Sequence, residues 1–513
     1  MHRTGGYRYE DGFGKGDGFL KATRPVAGRS LVESKNEERM WDREYRISDK
    51  GFFAGKKVLV MGLGRFGGGV DSAKFAAEAG ARVTVTDLAD TEQLNDSVKE
   101  LEEFGDIEFH LGGHEKTDFE KADIVIVNPA VAPGDEFVRA AEQNGRFVTS
   151  QINIFFELCP ATIIGITGSN GKSTAAALAA HLLRNAEGEI RDTRYENVRL
   201  SGNIGNEPLL AAIDKMGSDD LVVLEISSFQ GEQLAQIEKG PKVAVLTNLT
   251  PNHLDRHGTF ADYCVAKENI FKFQRWDKNG PAVSIFNSED RIGAEWFERY
   301  RKEAGRICLK FSTDDVGEEV RQMFGLVGRA NLSNLSAAIA VAKHFGVTDE
   351  QIRSSLGGFK PLAHRLELVA ESKGVRWYND SIATTPASAI AALEAFDEPK
   401  IIIAGGYDKK LSFDELGLEM AAKAKAAILI GATAKKIAEA IAKKLATEVA
   451  ENTEKKVKVE IVDSLTKAVE SAKNLAVSGD VVLLSPACAS YDMFDNFQQR
   501  GEEFVRLVTG KKE

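Results

Sequence analysis

The segment at residues 168–174, Gly-Ser-Asn-Gly-Lys-Ser-Thr, constrains the fold of this chain more than any other part of its sequence. An apolar run at 161–167 precedes it and predicts a strand, while the alanine-rich stretch at 174–184 predicts a helix. Glycines let backbone N–H groups close around phosphate oxygens, and the helix N-terminus adds partial positive charge. Lys172 would reach a distal phosphate, and the Ser173 hydroxyl suits Mg²⁺. The sequence therefore predicts a nucleotide phosphate site in an α/β domain.

The spacing inside this loop is shorter than in the usual phosphate-binding pattern, Gly-x-x-x-x-Gly-Lys. Only two residues separate Gly168 from Gly171, and Ile166 stands where the usual first glycine would be. A glycine-rich turn between a core strand and a core helix is the alternative, and the Lys-Ser-Thr that follows disfavours it. The candidate phosphate-binding residues are Gly168, Ser169, Asn170, Gly171, Lys172, Ser173 and Thr174.

Length and composition indicate an ordinary soluble globular protein with about three domains, because 513 residues exceed what one hydrophobic core organises. Hydrophobic residues make up 43% of the chain and charged residues 28%. The net charge of -11 argues against a nucleic acid or an anionic membrane as partner, since phosphate groups attract basic surfaces. No apolar run approaches the length of a membrane span. Any anionic ligand must therefore be held by local groups.

The four cysteines, Cys159, Cys264, Cys308 and Cys488, are widely scattered. This distribution fits neither a disulfide framework nor a structural zinc site. The sequence thus favours the reducing cytoplasm, and it is compatible with a monomer.

Strand and helix patterns alternate from about residue 56 and predict three parallel α/β domains in series. We expect a Rossmann-like first domain at 51–150, a central P-loop-type mononucleotide-binding domain at 151–358 and a Rossmann-like third domain at 359–513. Residues 1–50 are rich in glycine and charge without a sustained period, which predicts a flexible extension.

A second glycine-rich turn lies in the first predicted domain, between a strand and a helix. Asp87 ends the next predicted strand, 20 residues after the last glycine of the turn. This pattern suits a diphosphate on the helix N-terminus and a ribose-type hydroxyl on the aspartate. Both NAD and a nucleotide-sugar diphosphate satisfy it. The candidate residues are Gly62, Gly64, Arg65, Phe66, Gly67 and Asp87.

Polar residues also follow predicted strands of the central domain. Glu225 ends the apolar run at 221–224, where a carboxylate can face a magnesium ion at the phosphate loop. His253 follows another apolar strand, and Lys267 lies in a predicted helix beyond it. Taken alone, these last two would be an ordinary loop histidine and a solvated surface lysine.

The third predicted domain contains further candidates next to its strands. Arg365 could clamp a phosphate, Asp380 could bind a ribose or order the site, and Ser490 could hold a carboxylate. Each of these signals is weak by itself, because Asn-Asp and Ser-Pro turns are common in loops.

Together, these segments resemble the Mur ligases of peptidoglycan synthesis over roughly residues 56–510. The Ser-Ser-Phe-Gln segment at 227–230 and the Ser-Pro-Ala-Cys-Ala-Ser segment at 485–490 favour the members that add D-glutamate. The segments that carry the resemblance are 167–174, 201–205, 224–230, 252–256 with Lys267, 379–381, and 484–490 with Asn496 and Phe497.

The resemblance implies a cytoplasmic ligase that uses ATP and two Mg²⁺ ions. ATP would phosphorylate the L-alanyl carboxylate of UDP-N-acetylmuramoyl-L-alanine, and the amine of D-glutamate would attack the acyl phosphate to give an amide, ADP and phosphate. Both substrates are anionic, so cations must neutralise their approach.

The resemblance also implies roles for individual residues. Lys172, Glu225, His253 and Lys267 would be catalytic. The Mg²⁺ ligands would come from Ser173, Glu225, His253 and a carbamylated Lys267. ATP would further contact Asn334, Arg365 and Asp380. Asn203 would join the glycine-rich turn and Asp87 in binding the UDP substrate. D-Glutamate would contact Thr384, Lys409, Ser490 and Phe497.

The chain departs from the family pattern at three places. Ile382 stands where many relatives have a lysine that meets the D-glutamate side chain, and Lys409 or Lys410 would have to supply that charge. Ala330 replaces a usual histidine on the adenine side. The segment Asn-Pro-Ala at 128–130 replaces a more usual Ser-Pro-Gly in the uridine pocket.

Three other functions remain as alternatives. A sibling ligase would add another amino acid. An NAD-dependent oxidoreductase would use the glycine-rich turn of the first domain but leave the second phosphate loop without a role. A non-catalytic nucleotide-binding protein would not need Lys172, Glu225, His253 and Lys267 together.

Overall fold

The structure is a computed structural model, and it describes residues 46–63, 67–186, 195–202, 208–277, 280–360, 362–448 and 457–510. Residues from Ser48 onward belong to one compact unit. Most of the predicted N-terminal extension lies outside the described residues, as do four predicted site residues: Gly64, Arg65, Phe66 and Asn203.

The strands form three sheets, one for each predicted α/β region. Their bounds are β1 Lys57–Met61, β2 Arg82–Asp87, β3 Glu108–Leu111, β4 Ile124–Val127, β5 Phe147–Thr149, β6 Thr162–Thr167, β7 Asn197–Ser201, β8 Asp220–Glu225, β9 Val243–Leu246, β10 Ala282–Asn287, β11 Arg306–Phe311, β12 Glu367–Ser372, β13 Val375–Asn379, β14 Lys400–Gly405, β15 Ala424–Ile430, β16 Lys458–Ile461 and β17 Val481–Leu484.

Helices connect these strands and cover the sheets. Their bounds are α1 Gly68–Glu78, α2 Asn95–Leu101, α3 Lys116–Lys121, α4 Glu136–Gln143, α5 Gln151–Leu158, α6 Lys172–Arg184, α7 Ser228–Gln236, α8 Leu254–His257, α9 Phe260–Lys272, α10 Arg291–Tyr300, α11 Glu318–Met323, α12 Arg329–His344, α13 Asp349–Leu356, α14 Pro386–Glu394, α15 Asp414–Lys423, α16 Ala434–Glu448, α17 Leu465–Leu475 and α18 Phe497–Thr509. Within the described part of the chain, none of them is long and apolar enough to cross a membrane.

The first sheet is parallel throughout, with the strand order β3-β2-β1-β4-β5. Strand order reverses between β1 and β4, and such a switch point opens a crevice at the carboxyl ends of the strands. Gly69 lets the first turn of α1 approach β1 closely, because a Cβ there would meet main-chain atoms of Gly62 and Leu63. The start of α1 therefore packs directly on the main chain of Gly62 and Leu63, just after β1.

The central sheet is also parallel, with the order β11-β10-β9-β6-β8-β7. Strand β6 lies between β9 and β8, so the carboxyl ends of these three strands lie side by side. Register pairs Ile166 of β6 with Glu225 of β8, which brings this carboxylate next to the loop after β6. Helix α6 contains five buried alanines among its 13 residues, and their small side chains let it pack closely on α12.

The third sheet has the order β12-β13-β17-β14-β15-β16. Only the edge pair β12–β13 is antiparallel among its described pairings. Leu484 of β17 pairs with Asn379 of β13 on one side and with Ile403 of β14 on the other. The loops at 380–385, 406–410 and 485–490 therefore leave the sheet side by side.

A buried carboxylate joins the first domain to the central one. Asp71 on α1 accepts hydrogen bonds from the backbone N–H groups of Leu210 (2.8 Å) and Ala211 (3.1 Å) and from the side chain of Gln151 (2.6 Å). Burial raises the pKa of Asp71. The turn after the predicted substrate segment at 201–205 is thus tied to the helix that begins at the glycine-rich turn.

We expect Gly69→Ala to destabilise the protein by about 1–3 kcal/mol, because the new methyl group would collide with main-chain atoms that cannot turn away. Urea denaturation would measure the free energy of unfolding. Gly357→Ala is the control, since Gly357 has an ordinary helical backbone and open space around its Cα. It should be neutral or stabilising by up to about 1 kcal/mol. Equal stability of Gly69→Ala and wild type would contradict the close approach.

Candidate active site

The phosphate loop runs from the end of β6 to the start of α6. Gly171 is the N-cap of α6 and has a φ of +82°, and Gly168 has a φ of +149°. Residues other than glycine rarely adopt these backbone angles. A Cβ at Gly171 would collide with the side chain of Asn334, and one at Gly168 with that of Thr247. Ile166, by contrast, is a fully buried residue of β6. The short loop thus needs its glycines at these two positions.

Neighbouring segments hold the loop in place. The N–H of Asn170 donates to Oδ1 of Asn248 (3.0 Å), while its carbonyl oxygen accepts from Oγ1 of Thr247 (2.6 Å). Ser169 Oγ donates to the carbonyl of Thr250 (2.8 Å) and accepts from the hydroxyl of Tyr263 (3.0 Å). The sequence did not predict these hydrogen bonds to the phosphate loop. The segment at 247–250 does share one signal with the predicted site residues Glu225 and His253, because it also follows an apolar strand.

A cluster of polar groups from two domains lies at the start of α6. Ser173 Oγ donates to Glu225 Oε2 (2.8 Å), and Nζ of Lys172 lies 3.8 Å from the other carboxylate oxygen. Arg365, from the third domain, reaches Ser173 Oγ with Nη2 (3.4 Å). Burial lowers the pKa of Lys172, and the Glu225 carboxylate opposes that shift. Lys172, Ser173, Glu225 and Arg365 are therefore brought together as one group.

Lys267 is buried, with 2% of its surface exposed, and is not the solvated lysine that its position alone would suggest. Burial, together with the nearby Lys172 ammonium, lowers its pKa well below the usual value, and Glu225 opposes this. Its Nζ lies 4.9 Å from the centre of the Tyr263 ring, one helical turn earlier on α9. The structure thus places Lys267 next to the phosphate loop as a buried amine.

His253 lies at the N-cap of α8 in a left-handed conformation, with φ +52°. Its ring packs edge-on against Phe229 at 5.1 Å. Burial and the cations of Lys409, Lys172 and Lys267 lower its pKa to about 4. The imidazole is therefore neutral at pH 7 and faces the same cationic cluster.

Asp380 and Arg365 form the third-domain side of this cluster. Asp380 Oδ2 accepts from Ser485 Oγ (2.7 Å), and burial raises its pKa to about 7 against the effects of Ser485 and Arg365. Burial lowers the pKa of Arg365, while Asp380 and Glu225 raise it. Arg365 therefore lies within electrostatic range of carboxylates from both the central and the third domain.

The candidate amino-acid contacts lie on neighbouring loops of the third sheet. Ser490 is buried after β17, Lys409 follows β14, Thr384 precedes α14, and Phe497 begins α18. Lys409 is close enough to the central domain to influence the pKa of His253.

Arg500 ties these third-domain loops together. Its buried guanidinium donates to the carbonyls of Ser381 (2.8 Å) and Cys488 (3.1 Å). The Ser381 hydroxyl in turn donates to the carbonyl of Phe497 (2.8 Å). No motif marked Arg500, which is one polar residue in an amphipathic helix.

The described candidates of the first sheet follow β1 or end β2. Gly62 and Gly67 flank the turn after β1, and a small cavity between β1 and β4 is lined in part by Gly62, Gly68, Asn128 and Gln151. Asn128 donates to the carbonyl of Gly62 (3.1 Å), so the residue that departs from the family pattern bridges the two strands at the switch point. Asp87 accepts from the N–H of Ala89 (2.9 Å).

The buried side chain of Asn334 lies on α12 against Gly171, which places it beside the phosphate loop. Within the described ranges, no three His, Cys, Asp or Glu side chains converge as a metal cluster. The candidate metal ligands include a serine and a lysine and thus fall outside that pattern.

Asp380 should make the unliganded protein less stable as pH rises. The folded protein holds a proton on this carboxyl up to about pH 7, whereas the usual pKa is 3.8, so its contribution to stability declines between these values. We expect a smaller loss of Tm from roughly pH 5 to 8 in Asp380→Asn than in wild type. Asp463→Asn removes an exposed carboxylate and is the control. The same slope in wild type and Asp380→Asn would contradict the raised pKa.

Comparison with known proteins yields three family matches along the chain. The MurD-like N-terminal domain of Mur ligases matches residues 56–150, the Mur ligase middle domain residues 166–342, and the Mur ligase glutamate ligase domain residues 364–488.

Two relatives carry the name UDP-N-acetylmuramoylalanine--D-glutamate ligase. The one from Roseiflexus sp. (strain RS-1) is 38% identical over 479 residues, covering 89% of this chain and 98% of the relative. The one from Pelotomaculum thermopropionicum is 36% identical, covering 90% of this chain and 99% of the relative.

Solved structures share the fold at low sequence identity. A pseudomurein peptide ligase type C from Methanothermus fervidus has a TM-score of 0.52 at 16% identity, covering 89% of this chain and all of that one. MurF from Acinetobacter baumannii has a TM-score of 0.52 at 14% identity, covering 90% and 93%. The expected three-domain α/β fold is confirmed. From the matched domains and the extent of sequence identity, the chain belongs to the Mur ligase family, and within it to the UDP-N-acetylmuramoylalanine--D-glutamate ligases.

Proposed function

We propose that this protein is a cytoplasmic, ATP-dependent ligase that joins the amine of D-glutamate to the L-alanyl carboxylate of UDP-N-acetylmuramoyl-L-alanine. The name shared by its relatives supports this reaction. The observation that carries it is the convergence of Lys172, Ser173 and Glu225 with Arg365 from another domain, since this arrangement suits a triphosphate held between domains. The relatives give no support to the oxidoreductase alternative.

The chemistry explains why cations surround the loop. A carboxylate is a poor electrophile, so its oxygen first attacks the γ-phosphorus of ATP and ADP leaves. The amine then attacks the acyl carbon, and as the amide forms, phosphate departs with the bonding electrons and takes up the proton that the nitrogen loses. Lys172 and Arg365 would neutralise phosphate charge during both steps. In a site that excludes water, such preorganised charges act strongly.

The residues present also fit magnesium. Ser173 and Glu225 offer two oxygens 2.8 Å apart beside the phosphate loop, and His253 offers a neutral ring nitrogen. Mg²⁺ bound here would stabilise negative charge on the transferring phosphoryl group. We assign the first of two ions to Ser173 and Glu225, and the second to His253 and a modified Lys267.

The burial of Lys267 supports our proposal that this lysine is carbamylated. Only a neutral amine attacks CO₂, and the lowered pKa of Lys267 supplies that form. The reaction forms a nitrogen–carbon bond, releases a proton and leaves an anionic carbamate. This group would offset the surrounding cations and give oxygen ligands for a hard metal ion.

We assign D-glutamate to Thr384, Lys409, Ser490 and Phe497. We assign the UDP-linked substrate to the turn at 62–67 and Asp87 for its nucleotide part, and to Asn203 for its muramoyl-peptide part. Between the two candidate lysines, the surroundings favour Lys409. It is partly buried and lies near Asp255, Cys488 and Arg500, whereas Lys410 is 80% exposed and pairs with Asp408.

The deciding experiment measures phosphate release with ATP, Mg²⁺ and UDP-N-acetylmuramoyl-L-alanine, with and without D-glutamate. We expect sustained release only when both acceptor and amino acid are present, with amide formed in equal amount. A panel of other amino acids tests the sibling ligase, because a better substrate than D-glutamate would reassign the specificity. Release that depends on neither compound would refute the proposed reaction.

Lys267→Ala should lower kcat by about 100-fold or more, because it removes the anionic ligand and exposes the remaining cations to one another. Short carboxylic acids such as acetate or formate should restore part of the activity by filling the place of the carbamate. Steady-state kinetics with increasing acid concentration would show this. Lys272→Ala, at the solvent-exposed end of the same helix, is the control. Full activity of Lys267→Ala without added acid would remove Lys267 from the metal site.

Lys409→Met should raise KM for D-glutamate by at least about tenfold while KM for ATP changes little, because a carboxylate of D-glutamate would lose its partly buried ammonium partner. Lys410→Met, at the exposed neighbouring position, should leave KM for D-glutamate near the wild-type value. Unchanged KM for D-glutamate in Lys409→Met, or a larger change in Lys410→Met, would show that Lys409 does not supply the charge missing at Ile382.

A further inference from the structure

A hydrogen bond joins the third domain to the phosphate loop at a residue outside the proposed substrate contacts. Ser388, in the first turn of α14, donates from Oγ to Oδ1 of Asn170 (2.8 Å). For the described residues, this bond and that from Arg365 to Ser173 are the side-chain hydrogen bonds between the third domain and 168–174. Arg365 would bind phosphate directly, whereas Ser388 bonds to a side chain of the loop and has no proposed contact with a substrate.

Asn170 is a well-fixed acceptor for this bond. Its N–H and carbonyl oxygen are both engaged by the segment at 247–248, so its backbone cannot turn without breaking three hydrogen bonds. The side-chain oxygen therefore presents a defined point on the loop to the third domain.

Ser388 is equally fixed relative to the amino-acid site. Thr385 is the N-cap of α14, and its Oγ1 accepts from the N–H of Ser388 (3.3 Å) and lies 2.9 Å from Ser388 Oγ. Thr384, a proposed D-glutamate contact, immediately precedes this cap. One helical turn thus connects the amino-acid site to the bond with the phosphate loop.

We infer that Ser388 is a positioning residue that sets the distance between the incoming amine and the acyl phosphate. The inference rests on the proposed function, in which the acyl phosphate forms at the phosphate loop and the third domain holds the amine. Rates of such reactions depend steeply on placement of the reacting atoms. Without this bond, the amine would be less often in reach, and water would attack the acyl phosphate instead. That side reaction returns the free carboxylate and phosphate and so consumes ATP without forming amide.

The first test compares Ser388→Ala with wild type in one reaction that measures ADP and amide together. We expect amide formation to slow by roughly three- to tenfold, as loss of one neutral hydrogen bond predicts, and the ratio of amide to ADP to fall. KM for ATP in Ser388→Ala should stay within about twofold of the wild-type value. Ser388→Thr should keep a wild-type ratio of amide to ADP because it retains the hydroxyl. Ser354→Ala is the matched control, since that hydroxyl bonds only within its own helix.

A double-mutant cycle with Asn170→Ala separates positioning from a local effect on α14. If the bond acts as inferred, Ser388→Ala causes no further loss of the amide-to-ADP ratio once Asn170 is alanine. If the two substitutions instead lower the amide-to-ADP ratio independently, so that the double variant shows the product of the two single effects, the inference is overturned. Ser388 would then act only through its hydrogen bonds with Thr385. A wild-type ratio in Ser388→Ala would also overturn it. A wild-type enzyme that forms no amide with D-glutamate would instead refute the proposed function.

Discussion

Burial of positive charge around a single loop is the constraint on which the rest of this site depends. Lys267 is buried, Lys172 and Arg365 are partly buried, and burial lowers the pKa of each of the three side chains. Burying a charge is costly unless an opposite charge compensates it. Glu225 and Asp380 supply part of that compensation. The remainder favours a polyanionic ligand, so the site is electrostatically completed by the triphosphate that we propose it binds.

The sheets explain how residues far apart in sequence reach this loop. In parallel sheets, the carboxyl ends of neighbouring strands share one edge, and that edge carries the loops after β6, β8 and β9 in the central domain. The third sheet brings its loops after β13, β14 and β17 together in the same way. Each domain therefore contributes a cluster of side chains rather than isolated residues. The proposed active site lies where the central and third clusters meet.

Local sequence patterns predicted the parts of the site that depend on short-range structure. The phosphate loop was evident from its strand, glycines and helix, and Glu225 from its place at the end of an apolar strand. Lys267 was different, because no local pattern distinguishes a buried lysine from a solvated one; only the family resemblance marked it. Burial depends on what packs over a helix, which the sequence near the lysine does not contain.

Contacts between distant segments were missed for a related reason. Tyr263, Arg500 and Ser388 act through partners that lie 94, 119 and 218 positions away. A tyrosine, an arginine or a serine in an amphipathic helix has no feature that identifies such a partner. The order of strands in the sheets decides these meetings. The fold class was therefore predictable from periodicity, whereas the network that supports the loop required three-dimensional coordinates.

The hydrogen bonds of Asp71, which form the joint between the first and central domains, have a consequence for which positions can vary among related sequences. Its carboxylate binds the backbone N–H groups of residues 210 and 211, and every amino acid except proline provides such a group. At the exposed position 211, the side chain can therefore change freely while the connection persists. The side chains on which the joint depends are Asp71 and its donor Gln151, not those of residues 210 and 211. Related sequences should consequently vary at 211 far more than at 71.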